Sequence, residues 1–143
     1  MILVFFKDIM DKLLEAGDLE NVFSLKTVTG SRPVYVMKTR DGRRVVVIMP
    51  GIGAPYSAAM LEELIALGIR KVVVVGTCGV LRKDIAKGHL VIPSAAIRDE
   101  GTSYHYIPPG REVRVPDEII KTIEETLKEQ NVPYVKGKTW TTG

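Results

Sequence analysis

Residues 71–79, with the sequence KVVVVGTCG, constrain the fold of this chain more than any other segment. Four consecutive valines between a lysine and a glycine predict a strand that is buried on both faces. β-Branched side chains pack well in a pleated sheet, and no polar residue marks a solvated side. Strands of this kind lie at the centre of an α/β sheet. We therefore expect residues 72–75 to form a buried, central strand.

The turn after this strand is a candidate ligand site. Gly76, Thr77, Cys78 and Gly79 combine two glycines with two small side chains, one of which carries a hydroxyl group. Ligands of open α/β sheets gather at the carboxyl ends of strands, where backbone N–H groups and hydroxyls contact an anion or a sugar. A tight turn without a ligand is an equally good interpretation of this motif alone.

Composition and length exclude several classes of protein. The chain has 143 residues, 45% hydrophobic and 26% charged, which is ordinary for one globular domain over residues 1–143. The net charge is +3, but the basic residues are scattered. The sequence therefore predicts no nucleic-acid-binding surface, and no apolar run reaches the length of a membrane span. A single cysteine allows no internal disulfide and fits a cytoplasmic protein.

The segments before the valine run predict alternating helices and strands. An amphipathic helix is expected near the N-terminus, with an apolar face made of Leu3, Phe6, Met10, Leu13 and Leu14. β-Rich runs over residues 33–39 and 44–49 flank an Asp-Gly pair at 41–42, which predicts a hairpin. A helix over residues 56–68 then leads into the valine strand. This order predicts a right-handed βαβ crossover.

The segments after residue 79 predict a strand over 89–92 that stops at Pro93, then an irregular segment over 95–109. Long irregular loops within compact domains are often functional. Inside this loop, structural ion pairs and loop caps are the favoured roles of Arg98, Asp99 and Glu100. Residues 117–130 predict a second amphipathic helix, and residues 132–140 predict a final strand.

Several separated motifs resemble the nucleoside phosphorylase family. They are GIGAP (51–55), ALGIRK (66–71), VGTCGVL (75–81), KGHLVIPSAAIRDEGTSYHY (87–106) and KTWTT (138–142). The likeness is to uridine phosphorylase-like members and also to AMP nucleosidase. It implies an α/β fold of three layers, a mixed sheet flanked by helices, of which this chain corresponds to the N-terminal half. It also implies cleavage of the N-glycosidic bond of nucleosides or nucleotides, with phosphate or water attacking the ribose.

The resemblance implies roles for individual residues. Thr77 matches the Ser/Thr that hydrogen-bonds phosphate, and its neighbours Cys78 and Gly79 match the strip beside the ribose and base. No histidine lies near Cys78 in the sequence, so we expect a packing residue there and not a nucleophile. No catalytic residue is assigned. Gly51, Ile52 and Gly53 match a second loop of the family, which approaches the sugar from the side opposite to residues 77–79.

The family also pairs its subunits so that residues of one line the site of the other. The resemblance therefore implies a homo-oligomer, a dimer or a higher assembly. Residues that match such neighbour contributions are Arg32, Tyr104, His105 and Tyr106. The alternatives are a solvated hairpin arginine and an aromatic cluster used for packing. The expected partners are a nucleoside or nucleotide and phosphate as co-substrate, with no other cofactor and no metal.

Two departures from the family shape the functional prediction. Phosphorolytic members carry a phosphate-holding arginine at the position of Val74, and an aliphatic side chain cannot replace a bidentate guanidinium. The second departure concerns the family's second half, which this chain does not match and which supplies a Met-Glu pair for the ribose and an aromatic residue for the base. Residue 143 is also glycine, where the family usually has an aspartate. Three hypotheses remain: a phosphorylase-type enzyme that is inactive as this isolated, truncated chain; a hydrolase like AMP nucleosidase; and a non-catalytic remnant or one half of a split enzyme.

Overall fold

A computed structural model describes residues 1–28, 30–86 and 88–142 of the chain. They form two compact units, Met1–Cys78 and Gly79–Gly143, which are described one at a time. Whether the two units fold together as the expected single domain over residues 1–143 stays a prediction. Gly143, where the family's aspartate is usual, lies outside the described residues.

The described part of the first unit contains five strands and two helices. The strands are β1 (Ile2–Val4), β2 (Leu19–Thr27), β3 (Gly30–Lys38), β4 (Arg44–Ile48) and β5 (Val73–Val75). The helices are α1 (Lys7–Glu15) and α2 (Ala54–Ala66). The strands form one mixed sheet in the order β2-β3-β4-β1-β5, in which β1 is parallel to both β4 and β5. The predicted hairpin is confirmed as the antiparallel pair of β3 and β4.

The two helices cover opposite faces of this sheet. Side chains alternate between the faces along a strand, so adjacent residues of β1 and of β4 join different clusters. The α1 cluster is made of Val4, Met10, Leu19 and Val47. The α2 cluster is made of Leu3, Leu25, Val34, Ile48, Met60 and Leu64. The first unit therefore has three layers, helix, sheet and helix, as the predicted fold class requires.

The valine run forms an edge strand, so the prediction of a buried central strand was wrong. Within the described sheet β5 pairs only with β1. Val73, Val74 and Val75 keep 53%, 59% and 38% of their surface exposed. The cause lies at the N-terminus, where Leu3 belongs to β1 and not to the predicted helix. This strand takes the central place between β4 and β5, and the next strand of the chain belongs to another sheet.

The second unit contains a three-stranded mixed sheet and one long helix within its described residues. Its elements are β6 (Leu90–Asp99), a 3-10 helix (Thr102–His105), β7 (Glu112–Arg114), α3 (Asp117–Glu129) and β8 (Tyr134–Thr142). The order is β7-β6-β8, with β8 parallel and β7 antiparallel to β6. The predicted helix over 117–130 and the final strand are confirmed. None of the helices in the described ranges is long and apolar enough to cross a membrane.

The strand predicted over residues 89–92 does not stop at Pro93. It continues to Asp99, because the pairing of β6 with β8 shifts register between Pro93 and Ala95. A bulge of this kind accommodates a residue that has no N–H to donate. The irregular segment predicted from residue 95 therefore begins only after Asp99.

The α2 cluster gives a stability prediction. Leu64 keeps 1% of its surface exposed, and replacing a buried leucine with alanine removes contacts and leaves a cavity. We expect Leu64→Ala to lower the free energy of unfolding by about 2–5 kcal/mol in urea titrations. The matched control is Leu67→Ala, at a residue that is 63% exposed, with an expected change within about 0.5 kcal/mol. Equal effects of the two substitutions would contradict the assignment of Leu64 to the core.

Candidate functional site

Three parallel strands of the first unit end at the same edge of its sheet. β4, β1 and β5 are neighbours in this order and run in one direction. The chain leaves β1 through α1 towards β2, and it leaves β4 through α2 towards β5 on the opposite face. Adjacent strands whose connections diverge in this way form a topological switch point, where open α/β sheets bind ligands. We call this region the carboxyl edge; its loops are residues 5–6, 49–53 and 76–78.

The loop after β4 requires glycine for two physical reasons. A Cβ atom on Gly51 would lie 2.4 Å from Cδ1 of Tyr56, so the tyrosine ring occupies the space of a side chain. Gly53 has φ of 107°, which favours glycine, and it directly precedes α2. The hydroxyl of Ser57 donates to the carbonyl of Gly51 at 3.2 Å. Ile52 is 97% exposed. The loop therefore presents backbone and the positive end of the α2 dipole at the carboxyl edge.

The loop after β5 lies against the end of β1. The backbone N–H of Phe5 donates to the carbonyl of Val75 at 2.9 Å. A Cβ atom on Gly76 would lie 3.2 Å from Cβ of Phe5, which is a tight approach. Thr77 and Cys78 are exposed, so the expectation that Cys78 is a packing residue was wrong. The structure thus brings residues 51–53 and 76–78 to one sheet edge, whereas Gly79 begins the second unit. Binding of phosphate or ribose by these residues stays a prediction.

Arg32 reaches the same edge within its own chain. The antiparallel register that pairs Tyr35 with Val47, continued along β3, places Arg32 level with Pro50 at the end of β4. Arg32 is half-buried. Its Nε–H donates to the hydroxyl of Tyr56 at 3.0 Å, and its guanidinium carbon lies 5.7 Å from the centre of that ring. Arg32 is therefore not the solvated hairpin arginine of the alternative interpretation. Its contribution to a neighbouring subunit stays a prediction.

Tyr56 is the residue of this edge that the sequence analysis missed. It was assigned only to the start of a helix. The available signal was an aromatic residue in the first turn after a glycine-rich loop, at a position where it can fold back over that loop. Because a glycine five residues earlier offers no side chain to displace the ring, the two residues fit together.

The second unit contains a different arginine cluster. Arg98 is 7% exposed and donates to the hydroxyl of Ser103 at 2.9 Å and to the carbonyls of Pro108 at 2.8 Å and Ile107 at 3.3 Å. Its guanidinium carbon also lies 4.4 Å from the ring centre of Tyr104. A buried arginine whose donors are used in this way stabilises the loop around it. The predicted ion-pair role therefore does not describe these contacts, since Arg98 donates to carbonyl and hydroxyl oxygens.

The aromatic residues of this loop are largely exposed. Tyr104 and Tyr106 keep 44% and 54% of their surface, and His105 ends the 3-10 helix in an exposed position. The hydroxyl of Tyr104 donates to the carbonyl of Arg98 at 3.2 Å. Tyr104 thus packs within its own unit, while the contribution of all three residues to a neighbouring subunit stays a prediction.

An open cavity of about 490 Å³ lies beside this loop, near the carboxyl ends of β6 and β8. Trp140 lies on its wall and donates its indole N–H to Oδ2 of Asp99 at 3.0 Å. The sequence analysis did not single out Trp140. Within the described ranges, no three His, Cys, Asp or Glu side chains are grouped to hold a metal ion.

A family model described as the phosphorylase superfamily matches residues 1–143 of this chain. Uridine phosphorylase of Haemophilus influenzae is 38% identical over 85 residues, which cover 53% of this chain and 34% of that protein. Guanosine phosphorylase of Halorubrum lacusprofundi is 38% identical over 66 residues, which cover 46% of this chain and 27% of that protein.

Solved structures show the same likeness. The structure of uridine phosphorylase from Vibrio fischeri has a TM-score of 0.79 and 27% identity, covering 99% of this chain and 56% of that chain. Futalosine hydrolase of Helicobacter pylori has a TM-score of 0.75 and 18% identity, covering 99% and 64%, and shares the fold alone. The chain therefore spans about a third of the Haemophilus protein and a little over half of the Vibrio structure.

The cap at Glu100 gives a pH-dependent prediction. The hydroxyl and the backbone N–H of Ser103 donate to the carboxylate of Glu100, the latter at 2.9 Å, and they lower the pKa of Glu100. Because the pKa is lowered in the folded state, the cap stabilises the loop above the ordinary glutamate pKa and is lost as pH falls through the lowered value. The amide resonance of Ser103 should therefore titrate with a midpoint below the ordinary pKa of a glutamate side chain.

The control for this titration is Glu100→Gln, which keeps the acceptor oxygen but cannot ionise. The acid-induced change of the Ser103 resonance should disappear in this variant. A wild-type midpoint at or above the ordinary glutamate value would show that Ser103 does not stabilise the charged carboxylate.

Proposed function

Because this chain belongs to the phosphorylase superfamily, we propose that its first unit provides the phosphate- and ribose-binding edge of a site that cleaves the N-glycosidic bond of nucleosides. The observation that carries the proposal is the meeting of residues 51–53 and 76–78 at the switch point beside β1. The resemblance implies contacts with phosphate and ribose for these residues and for Gly79, which begins the second unit. The geometry of the edge thus supports the proposal for residues 51–53 and 76–78.

The chemistry of the reaction fits the groups at this edge. Breaking the bond builds positive charge on the ribose and negative charge on the leaving base, while the nucleophile must be held below the sugar ring. In the proposed site, the hydroxyl of Thr77 and the backbone N–H groups of its loop bind phosphate oxygens. Arg32 supplies a positive charge. Its guanidinium has five N–H donors, of which Tyr56 uses the one on Nε, so the Nη groups can donate to phosphate oxygens. Phosphate would then be a co-substrate, with no other cofactor.

The proposed substrate is a nucleoside. The sequence relatives named uridine phosphorylase and guanosine phosphorylase support this class, and they differ in the base that their names give. The choice between purine and pyrimidine is therefore left open in the proposal. A cytoplasmic location is proposed with it, supported by the single cysteine.

A second candidate function is hydrolysis, as in AMP nucleosidase. The observation in its favour is Val74, which lies in β5 two residues before the carboxyl edge and is 59% exposed. It occupies the position at which phosphorolytic members of the family hold phosphate with an arginine. Water as the nucleophile needs no guanidinium clamp. The third hypothesis, a non-catalytic remnant or one half of a split enzyme, stays a proposal that the base-release assay tests.

Base release distinguishes these functions. We expect the isolated chain to release no base from uridine, inosine, adenosine or AMP, because the family's ribose-gripping Met-Glu pair is not among these residues. Each missing electrostatic contact of this kind lowers the rate by about 10²–10³. Mixing with a polypeptide that carries the remainder of the family's fold should restore release that depends on phosphate.

Three other outcomes of this assay have distinct meanings. Release without phosphate identifies the hydrolase. No release from any mixture supports the remnant. Rapid turnover by the isolated chain contradicts the proposed inactivity.

The exposed edge of β5 supports self-association, the proposed dimer or higher oligomer. An edge strand with three exposed valines leaves backbone donors and acceptors open to another strand. Light scattering at about 50 μM, a concentration at which exposed edges associate, should report a mass above the 15.8 kDa of one chain. Val74→Lys should lower that mass, whereas Leu67→Lys, at the exposed residue directly after α2, should not. A monomer at this concentration would refute the proposal.

A further inference from the structure

Tyr56 holds the side chain of Arg32 in place. An arginine side chain has several rotatable bonds, and fixing it loses up to about 2 kcal/mol of conformational free energy. In this structure the hydroxyl of Tyr56 accepts from Nε at 3.0 Å and the ring lies 5.7 Å from the guanidinium carbon. The hydrogen bond fixes the Nε edge of the guanidinium plane. The two Nη groups, with four N–H donors, are then directed by Tyr56.

Tyr56 is itself held in place by the α2 cluster and by the loop after β4. It lies in the first turn of α2, and its ring packs against the α2 cluster. The ring also fills the space where Gly51 would carry a side chain, with a Cβ only 2.4 Å from Cδ1. The hydroxyl of Ser57 holds the Gly51 carbonyl at 3.2 Å, which fixes the loop under the ring. Gly51, Tyr56 and Arg32 therefore form one stack from the loop after β4 to the start of β3.

We propose that Tyr56 is a positioning residue that aims Arg32 at an anion bound on the carboxyl edge, and that Gly51 is required because the ring of Tyr56 occupies its side-chain space. The inference rests on the proposed function, since it takes the anion to be phosphate or a phosphate-bearing nucleotide. Tyr56 does not touch the reacting atoms in this account. It acts through Arg32.

The test measures inorganic phosphate binding and the state of Arg32 separately, in the full chain. Phosphate affinity is obtained from calorimetric titration. The Nε–H resonance of Arg32 in ¹⁵N NMR reports the hydrogen bond to Tyr56 without any ligand. Tyr56→Phe keeps the ring over Gly51 and removes only the hydroxyl.

We expect Tyr56→Phe to shift the Arg32 Nε–H resonance, to speed its exchange with water and to weaken phosphate binding about 3- to 10-fold, as the loss of one hydrogen bond does. The melting temperature should change little. Tyr35→Phe is the matched control, because Tyr35 lies on the same strand but packs with the α1 cluster on the opposite face. It should leave both readouts unchanged. Arg32→Ala should weaken phosphate binding at least as much as Tyr56→Phe.

A double-mutant cycle tests the role of Gly51. Gly51→Ala alone should displace the ring and weaken phosphate binding as Tyr56→Ala does. In the Tyr56→Ala background the ring is absent, so adding Gly51→Ala should change phosphate binding by less than about twofold, because the two substitutions then act on one contact. Two independent, additive effects would overturn the assignment of Gly51.

The outcomes separate this inference from the proposed function. If phosphate binding depends on Arg32 but Tyr56→Phe matches the wild type in both readouts, the positioning role is overturned and the proposed function stands. If the wild-type chain binds no phosphate, the proposed phosphate site fails and the anion-directing role of Tyr56 fails with it. The Arg32 resonance then shows whether the contact itself exists.

Discussion

The parallel pairing of β1 with both β4 and β5 is the interaction on which the first unit depends. β1 has three residues, yet its neighbouring side chains Leu3 and Val4 enter different hydrophobic clusters on the two faces of the sheet. Without this strand β5 would have no partner among the described strands, and the chain that follows α2 could not rejoin the sheet. The same pairing brings the ends of β4 and β5 to either side of β1. The carboxyl edge is thus a consequence of where the first residues of the chain are placed.

Two arginine–tyrosine pairs show how one contact type serves different purposes. Arg98 is 7% exposed and stacks on Tyr104 while its donors bind Ser103 and two carbonyls, so it holds a loop together. Arg32 is half-buried and shares one donor with Tyr56 at a sheet edge. An arginine with its donors committed to protein oxygens stabilises structure, whereas Arg32, with one side-chain hydrogen bond given among the described residues, has further donors for an anion. This difference in commitment supports Arg32, and not Arg98, as the anion-binding residue.

Local signals in the sequence predicted local structure well. The Asp-Gly turn predicted the hairpin, and helical spacing predicted α2 and α3, because both signals depend on neighbouring residues. Strand order depends on distant residues, and the valine run shows the consequence. Apolar periodicity cannot tell a central strand from an edge strand. Pro93 failed as a stop signal for a related reason, since a bulge in the pairing with β8 tolerated it.

The candidate site was predictable in part. The glycine motifs indicated both loops, because positions that need close approach or unusual backbone angles select glycine. The contact of Tyr56 with Gly51 had a signal in the sequence, but its contact with Arg32 had none, since that contact depends on the approach of β3 to the start of α2, which residue spacing does not reveal. The same limit applies to Trp140, whose partner Asp99 lies on a neighbouring strand.

The central claim is that residues at the carboxyl edge bind phosphate together. It is tested most directly by titrating inorganic phosphate into ¹⁵N-labelled chain and following every backbone amide resonance. The account predicts that the amides of residues 51–53 and 76–78 shift with one common dissociation constant, because both loops contact the same anion. Shifts confined to the loop around Arg98, or separate dissociation constants for the two glycine loops, would contradict it.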